Sequence, residues 1–126
     1  MQLFAYYISK AKKLDVDKMN EACKILLEYE DFSSFAKVGG DNKTNLCNLY
    51  KAEWEVVGDQ LKFTISANRF LRNMVRAIVG TMVDVGLGKL HPTDLRAIIE
   101  NKNRNSAGSS APPQGLFLVD VGYPHF

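Results

Sequence analysis

The sequence is poor in the residues that bind metals and form disulfides. It contains two cysteines, Cys23 and Cys47, and two histidines, His91 and His125. The cysteines form no C-x-x-C pair, and no histidine lies at a ligand spacing from either of them, which excludes a zinc site and a disulfide framework. We therefore predict free, buried thiols in a reducing compartment and no bound metal.

Long hydrophobic runs are also missing. No apolar stretch reaches the roughly 18 residues that a membrane-spanning helix needs. The opening residues, MQLFAYYISKAKK, lack the basic start, apolar middle and small-residue cleavage site of a signal peptide. We predict a cytoplasmic protein without membrane contact. With 126 residues, of which 46% are hydrophobic, the chain is long enough to bury a core, and we predict a single domain over 1–126.

An excess of one charge is absent as well. Sixteen basic and fourteen acidic residues leave a net charge of +2, which does not by itself indicate nucleic-acid binding.

Familiar catalytic patterns are also lacking. GLGKL does not have the frame of a phosphate-binding loop, and DFSSF has no histidine close in sequence to activate its serines. The chain thus shows no self-sufficient active site.

Periodic patterns divide the first half of the chain. Apolar residues at helical spacing predict an amphipathic helix from Asp15 to about Glu30, with Asp15 as its N-cap. A polar loop, KVGGDNKTN (37–45), follows it. From Leu46 apolar and polar residues alternate, which predicts an antiparallel hairpin turning at Gly58. Its buried face should hold Ala52, Trp54, Val56, Leu61, Phe63, Ile65 and Ala67.

The second half begins with an apolar helix that stops near GLGK (86–89), where glycines can cap it. A shorter helix is predicted from Pro92 to Asn101, then a polar loop over 101–115 and a strand over 116–124. The order α-β-β-α-α-β predicts an α+β fold, in which helices pack on one face of an antiparallel sheet.

Three arginines interrupt the apolar helix in RFLRNMVRAIVG (69–80). Arg69, Arg72 and Arg76 would lie along one side of it, and Arg76 falls beside the apolar arc. A guanidinium stays charged, so a half-buried arginine needs an anionic partner. The alternative for all three is an ordinary solvated helix face. The apolar arc itself comprises Phe70, Leu71, Met74, Val75, Ile78, Val79, Met82 and Val83.

Four motifs, with the residues between them, carry a family resemblance that runs from about Leu14 to Pro124. They are DFSSF, KT at 43–44, ANRFLRNMVRAIVGTMVDVGLGK and APPQGLFLVDVGYP. The motifs and their spacing resemble the C-terminal half of the tRNA pseudouridine synthase A (TruA) family, and so imply the C-terminal domain of the pseudouridine synthase fold. That family isomerises uridine to pseudouridine in the anticodon stem-loop of tRNA without metal or organic cofactor.

The resemblance implies roles for two residues. Arg76 matches the active-site arginine that pairs with the catalytic aspartate, and Leu116 matches the apolar residue that walls the uracil pocket. The motif that contains the aspartate, G-R-T-D-A-G-V-H-A, belongs to the N-terminal half of the family and is missing here. The strand with the family's active-site tyrosine is missing as well, and FAYYISK resembles it only weakly. If no such partner exists, Arg76 could pair within the chain, for example with Asp84 or Glu53.

Further residues are predicted to bind the RNA backbone because phosphate contacts require little besides positive charge. They are Arg69, Arg72, Lys43 and Arg104. Two positions depart from the family pattern, Cys47 in place of an arginine and Glu30 in place of a histidine.

The partners implied are tRNA, the missing N-terminal half and a second copy in a homodimer. The isolated chain should be inactive because it lacks the nucleophile. Two other functions remain open, namely a non-catalytic RNA-binding module and a protein-interaction domain.

Overall fold

The fold was analysed in a computed structural model that describes residues 1–9, 13–37 and 44–121, excluding the side chains of residues 120 and 121. Seven principal elements follow one another along the chain, together with three short 3-10 turns. They are β1 (Gln2–Ser9), α1 (Val16–Leu26), β2 (Leu49–Val57), β3 (Gln60–Ala67), α2 (Met74–Gly86), α3 (Asp94–Asn101) and β4 (Leu116–Val121).

The four strands form one antiparallel sheet in the order β2-β3-β1-β4. In the middle of the sheet, Tyr6 lies opposite Phe63 on one side and Leu116 on the other. Side chains from one sheet face, such as Trp54 and Ile65, join helix residues in a single hydrophobic core. The α+β prediction, with helices on an antiparallel sheet, is confirmed.

Strand β1 is the element that the sequence analysis missed. It is a central strand, paired with both β3 and β4. Its adjacent residues Ala5 and Tyr6 are both buried although they point to opposite faces. A strand covered on both faces reads as an unbroken apolar run instead of an alternation, so the period-two signal is absent.

The helix of the arginine-rich motif starts later than predicted. It begins at Met74, and Arg69 and Arg72 lie in the segment before it. Asn73, directly before the helix, has a φ of 67°, in the left-handed region that right-handed helices exclude. The prediction that three arginines share one side of a helix is therefore wrong, and only Arg76 lies on α2.

The first helix has the predicted start but ends earlier. Asp15 accepts a hydrogen bond from the Lys18 N–H at 3.1 Å, which confirms it as the N-cap of α1. The helix stops at Leu26 because the backbone beyond it extends to pair with the loop after residue 43. There the Cys47 N–H donates to the Glu30 carbonyl oxygen at 2.8 Å.

The last two helices and the hairpin follow the prediction with small differences. Gly88, with a φ of 82°, follows the end of α2, as expected of a capping glycine. Helix α3 starts two residues after Pro92 and buries its predicted apolar side. On β2, Val56 is 53% exposed, because it lies near the hairpin turn beyond the core. Residues 122–124 of the predicted last strand fall outside the described residues.

Both cysteines are free and buried, as predicted. Burial raises the pKa of the Cys23 thiol to about 12, which leaves it protonated and unreactive at neutral pH. Within the described ranges, no helix combines the length and the apolar character needed to cross a membrane.

Candidate active site

A cleft of about 510 Å³ opens where the start of α2 meets the start of β4. The loop over 107–112, called the strap below, closes one side of it through Ser110. Both residues to which the family resemblance assigns an active-site role, Arg76 and Leu116, line this cleft. The other lining residues are Phe4, Lys37, Phe70, Leu71, Arg72, Asn73, Met74 and Val75.

Arg76 is half-buried in the first turn of α2 and is held by the strap. Its Nε donates to the Ala111 carbonyl oxygen at 2.7 Å, and the Ala111 N–H donates back to the Arg76 carbonyl oxygen at 2.9 Å. The terminal guanidinium nitrogens form no hydrogen bond or ion pair with another described residue. Pairing with Asp84 or Glu53 is not observed, and Glu53 pairs with Lys51 instead. One edge of the guanidinium is thus fixed while the rest remains available to an anion.

The strap lies directly on α2. The Gly108 N–H donates to the Thr81 Oγ1 at 2.9 Å, and Thr81 in turn donates to a carbonyl oxygen within the helix. At Gly80 a Cβ atom would lie only 1.6 Å from the Ser109 carbonyl oxygen. Because Gly80 has no side chain, the strap can approach α2 closely enough to hold Arg76.

Tyr6 fastens the far end of the strap to the sheet. Its hydroxyl donates to the Pro112 carbonyl oxygen at 2.5 Å. Burial raises the pKa of Tyr6, and the nearby Arg76 cation offsets part of that rise. The phenol therefore stays protonated over the working pH range and keeps this hydrogen bond.

Positive charge dominates the cleft. Lys37, Arg72 and Arg76 line it, and among the described residues no acidic side chain does. The Lys37 N–H donates to the Arg72 carbonyl oxygen at 3.1 Å, which brings the two chain segments together. The sequence analysis missed Lys37 because a single lysine in a loop carries no pattern. Three cations around an apolar floor can bind an anionic ligand with a flat, apolar part.

The other predicted RNA contacts lie outside this cleft or outside the described residues. Arg69 Nη1 donates to the carbonyl oxygens of Thr44 and Leu46, both at 3.0 Å. Arg104 donates to the Gly108 carbonyl oxygen at 2.9 Å and so braces the strap. Lys43 belongs to the undescribed residues 38–43.

Apolar side chains form the opposite wall. Leu116, at the first position of β4, is half-buried and faces the cleft. Phe4 and Phe70 meet edge to face, with ring centroids 5.2 Å apart. Such a wall suits a planar ring that stacks or packs against it. Phe4 was missed together with its strand.

Residues that could ligate a metal are not grouped in the described part of the chain, where no three His, Cys, Asp or Glu side chains cluster. The two departures from the family pattern, Glu30 and Cys47, are hydrogen-bonded to each other through their backbones. Burial raises the pKa of the Cys47 thiol, and the Arg69 cation lowers it to a smaller extent. Cys47 therefore serves as a buried apolar residue.

Comparison with known proteins agrees with the geometry. A family model described as tRNA pseudouridine synthase matches residues 22–124. The tRNA pseudouridine synthase A of Parabacteroides distasonis is 55% identical over 112 residues, and that of Bacteroides fragilis is 56% identical over 112 residues. These matches cover 89% and 88% of this chain but 44% of each relative.

A third relative, tRNA pseudouridine synthase A of Bacteroides thetaiotaomicron, is 47% identical and matches 96% of this chain and 51% of its own length. The chain thus spans about half the length of the curated relatives it matches. Since the family model covers most of the chain and several relatives share about half of its residues, this chain belongs to the tRNA pseudouridine synthase family.

Proposed function

We propose that this chain forms one wall of the active site of an enzyme that isomerises uridine to pseudouridine in the anticodon stem-loop of tRNA, without metal or organic cofactor. The remaining wall, with the nucleophilic aspartate, would come from an N-terminal half outside this chain. The relatives support this division, because each is about twice as long as the part that matches.

The availability of Arg76 carries the proposal. Its Nε is fixed to the strap, and the described residues that line the cleft offer no carboxylate to its terminal nitrogens. A half-buried cation in this state favours an incoming carboxylate and keeps it ionised, as a nucleophilic aspartate must be. Arg76 is thus arranged as one partner of an ion pair whose other partner, the aspartate, would come from the N-terminal half.

The cleft also suits a nucleotide. Leu116 and the Phe4–Phe70 pair offer apolar surface to a uracil ring, while Lys37 and Arg72 can contact phosphates on either side of it. Arg69, Arg104 and Lys43 are proposed as additional contacts to the RNA backbone. Arg69 and Arg104 would then combine RNA contact with bracing of the chain.

The proposal has two further parts, of which the oligomeric state comes from the family resemblance. A homodimer is proposed as the oligomeric state of the complete enzyme. A cytoplasmic location is proposed as well, and the two free buried thiols are compatible with its reducing conditions.

A chimeric enzyme tests the function. In it, this chain replaces the segment that it matches in the Parabacteroides distasonis relative, and pseudouridine formation is measured on unmodified tRNA. We expect the chimera to form pseudouridine and the isolated chain to form none. Arg76→Met should lower the chimera's rate about 100-fold or more, since it removes a charge that acts on the reacting groups.

Arg96→Met provides the matched control, because Arg96 is an exposed arginine on α3 that pairs with Glu28. It should leave the rate unchanged. Turnover by the isolated chain, or full activity of the Arg76→Met chimera, would contradict the proposal. A chimera that binds tRNA without forming pseudouridine would leave the RNA-binding module as the function, and the absence of any tRNA binding would favour the protein-interaction domain.

A further inference from the structure

The hydroxyl oxygen of Ser110 already accepts two hydrogen bonds. Asn73 Nδ2 donates to it at 2.6 Å, and Arg104 Nη2 donates to it at 3.0 Å. A serine hydroxyl has two acceptor positions and one hydrogen. With both acceptor positions filled, the hydrogen must point away from Asn73 and Arg104. Within the described part of the chain it meets no acceptor.

A ligand in the cleft can supply the acceptor that this hydroxyl lacks. Ser110 is half-buried and lines the cleft together with Arg76 and Leu116. The residue after it, Ala111, holds the Nε of Arg76. Two consecutive residues of the strap therefore serve the cleft: Ser110 presents a neutral hydrogen-bond donor, and Ala111 holds Arg76 in position.

A donor with a fixed direction selects among bases. Uracil carries two carbonyl oxygens, whereas cytosine has an amino group in place of one of them. A hydroxyl that cannot turn to become an acceptor would face that amino group donor to donor. A binding site built around one hydrogen bond rejects ligands that leave it unmade.

We propose that Ser110 is a specificity-determining residue whose hydroxyl donates to the O4 carbonyl oxygen of the target uracil, the one that cytosine replaces by an amino group, with Asn73 and Arg104 as positioning residues that aim it. This inference rests on the proposed function. It assigns to the strap a role in recognising the base, in addition to its contact with Arg76.

The test uses the chimera and stem-loop RNAs that carry uridine, 4-thiouridine or 2-thiouridine at the target position. Sulfur accepts hydrogen bonds poorly, so it removes one carbonyl acceptor at a time. Ser110→Ala should lower kcat/KM on uridine about tenfold. On the 4-thiouridine RNA it should have almost no further effect, because the acceptor is already lost, whereas on the 2-thiouridine RNA it should cost as much as on uridine. Loss of the effect on the 2-thiouridine RNA alone would place the hydrogen bond on the oxygen that cytosine shares, and would contradict the inference.

Ser109→Ala is the matched control, since Ser109 is the neighbouring exposed serine and its side chain lies outside the cleft. It should leave kcat/KM unchanged on all three RNAs. An equal loss on all three RNAs in Ser110→Ala, or no loss on any, would overturn the inference. A chimera that forms no pseudouridine from uridine would instead contradict the proposed function, and this inference would fall with it.

Discussion

Asp31 shows how neighbours keep a partly buried carboxylate ionised. It accepts hydrogen bonds from the Ser33 N–H at 3.0 Å and the Ser33 hydroxyl at 2.6 Å, and Lys102 lies 3.6 Å away. Burial alone would raise the pKa of Asp31, but the Ser33 hydrogen bonds and Lys102 together outweigh it, so the pKa lies below its usual value. The ionised Asp31 side chain thus connects the turn at Ser33 with Lys102, at the end of α3.

The lowered pKa of Asp31 predicts an acid-dependent loss of stability. A carboxyl with a lowered folded-state pKa adds stability above its unfolded pKa of about 3.9, and this stability is lost as the pH falls through the folded value. Asp31→Asn should therefore reduce the free energy of unfolding by about 1 kcal/mol at pH 7, and by progressively less below about pH 4. Urea denaturation of both chains across this range measures the difference.

Asp59→Asn serves as the control, because Asp59 is exposed in the hairpin turn. Its effect should be near zero at every pH. If the stability difference between Asp31→Asn and the unmodified chain were the same at pH 3 and pH 7, the ionised carboxylate would not be the stabilising form.

For single residues, the sequence singled out Arg76 as a candidate but did not predict how its side chain is held. Arg76 could be singled out because charge beside an apolar arc is unusual, and the structure places it in the cleft. Its contact with Ala111 lies 35 residues away along the chain, in a polar loop whose composition says nothing about its partners. Lys37 was missed for the same reason.

Among the elements, the strap on α2 depends on Gly80 having no side chain. A Cβ there would also lie 2.8 Å from the Ser109 carbonyl carbon, in addition to its clash with the oxygen. Both atoms belong to backbone, which cannot swing aside as the end of a flexible side chain could. The helix and the strap must separate to admit even a methyl group.

Gly80→Ala should therefore destabilise the chain, by about 2 kcal/mol. The sign is informative, since alanine in place of a helical glycine with free space around it stabilises by roughly 0.5–1 kcal/mol. Urea denaturation gives the free energy of unfolding for both chains. Unchanged or increased stability of Gly80→Ala would mean that the strap does not pack against α2 as described.

The elements were predicted as far as their sequence signals are local. The β2–β3 hairpin and α3 have periodicities that their own residues display, and both are confirmed. Strand β1 was missed because its pairing partners β3 and β4 are distant in sequence, and its own residues show no alternation that would reveal the pairing. The start of α2 was predicted too early because one residue, Asn73, has a left-handed backbone conformation within a sequence pattern that is otherwise helical.

For the whole molecule, the two edges of the sheet differ in character. On β2, Lys51, Glu53 and Glu55 place charges along the strand, a common way of preventing a sheet edge from pairing. On β4, Phe117, Leu118 and Val119 are each more than half exposed and no charge separates them. Since the same strand begins with Leu116 in the cleft, we expect the other half of the enzyme to cover β4.

Leu118→Lys should affect the stability of the isolated chain and of the chimera differently. Leu118 is 54% exposed, so the variant should change the isolated chain's stability by less than about 0.5 kcal/mol. In the chimera the lysine would be buried against the other half, and we expect a loss of about 2 kcal/mol or more in unfolding free energy. Thermal or urea unfolding of both proteins provides the comparison.

Val56→Lys is the control on the opposite edge, at a residue with 53% exposure. It should have little effect in either protein. Equal effects of Leu118→Lys in the isolated chain and in the chimera would show that β4 is not where the two halves meet.

The position of β1 also sets an order of events during synthesis. Gln2 lies opposite Val121 across the sheet, so the strand of this sheet that is translated first pairs with the strand of this sheet that is translated last. The β2–β3 hairpin has its partner close by and can close while the nascent chain is still growing. β1 can join β3 by then, but one of its edges stays open until translation has delivered β4. The arginine of the cleft is therefore held in place only after the strap has emerged, 35 residues behind it.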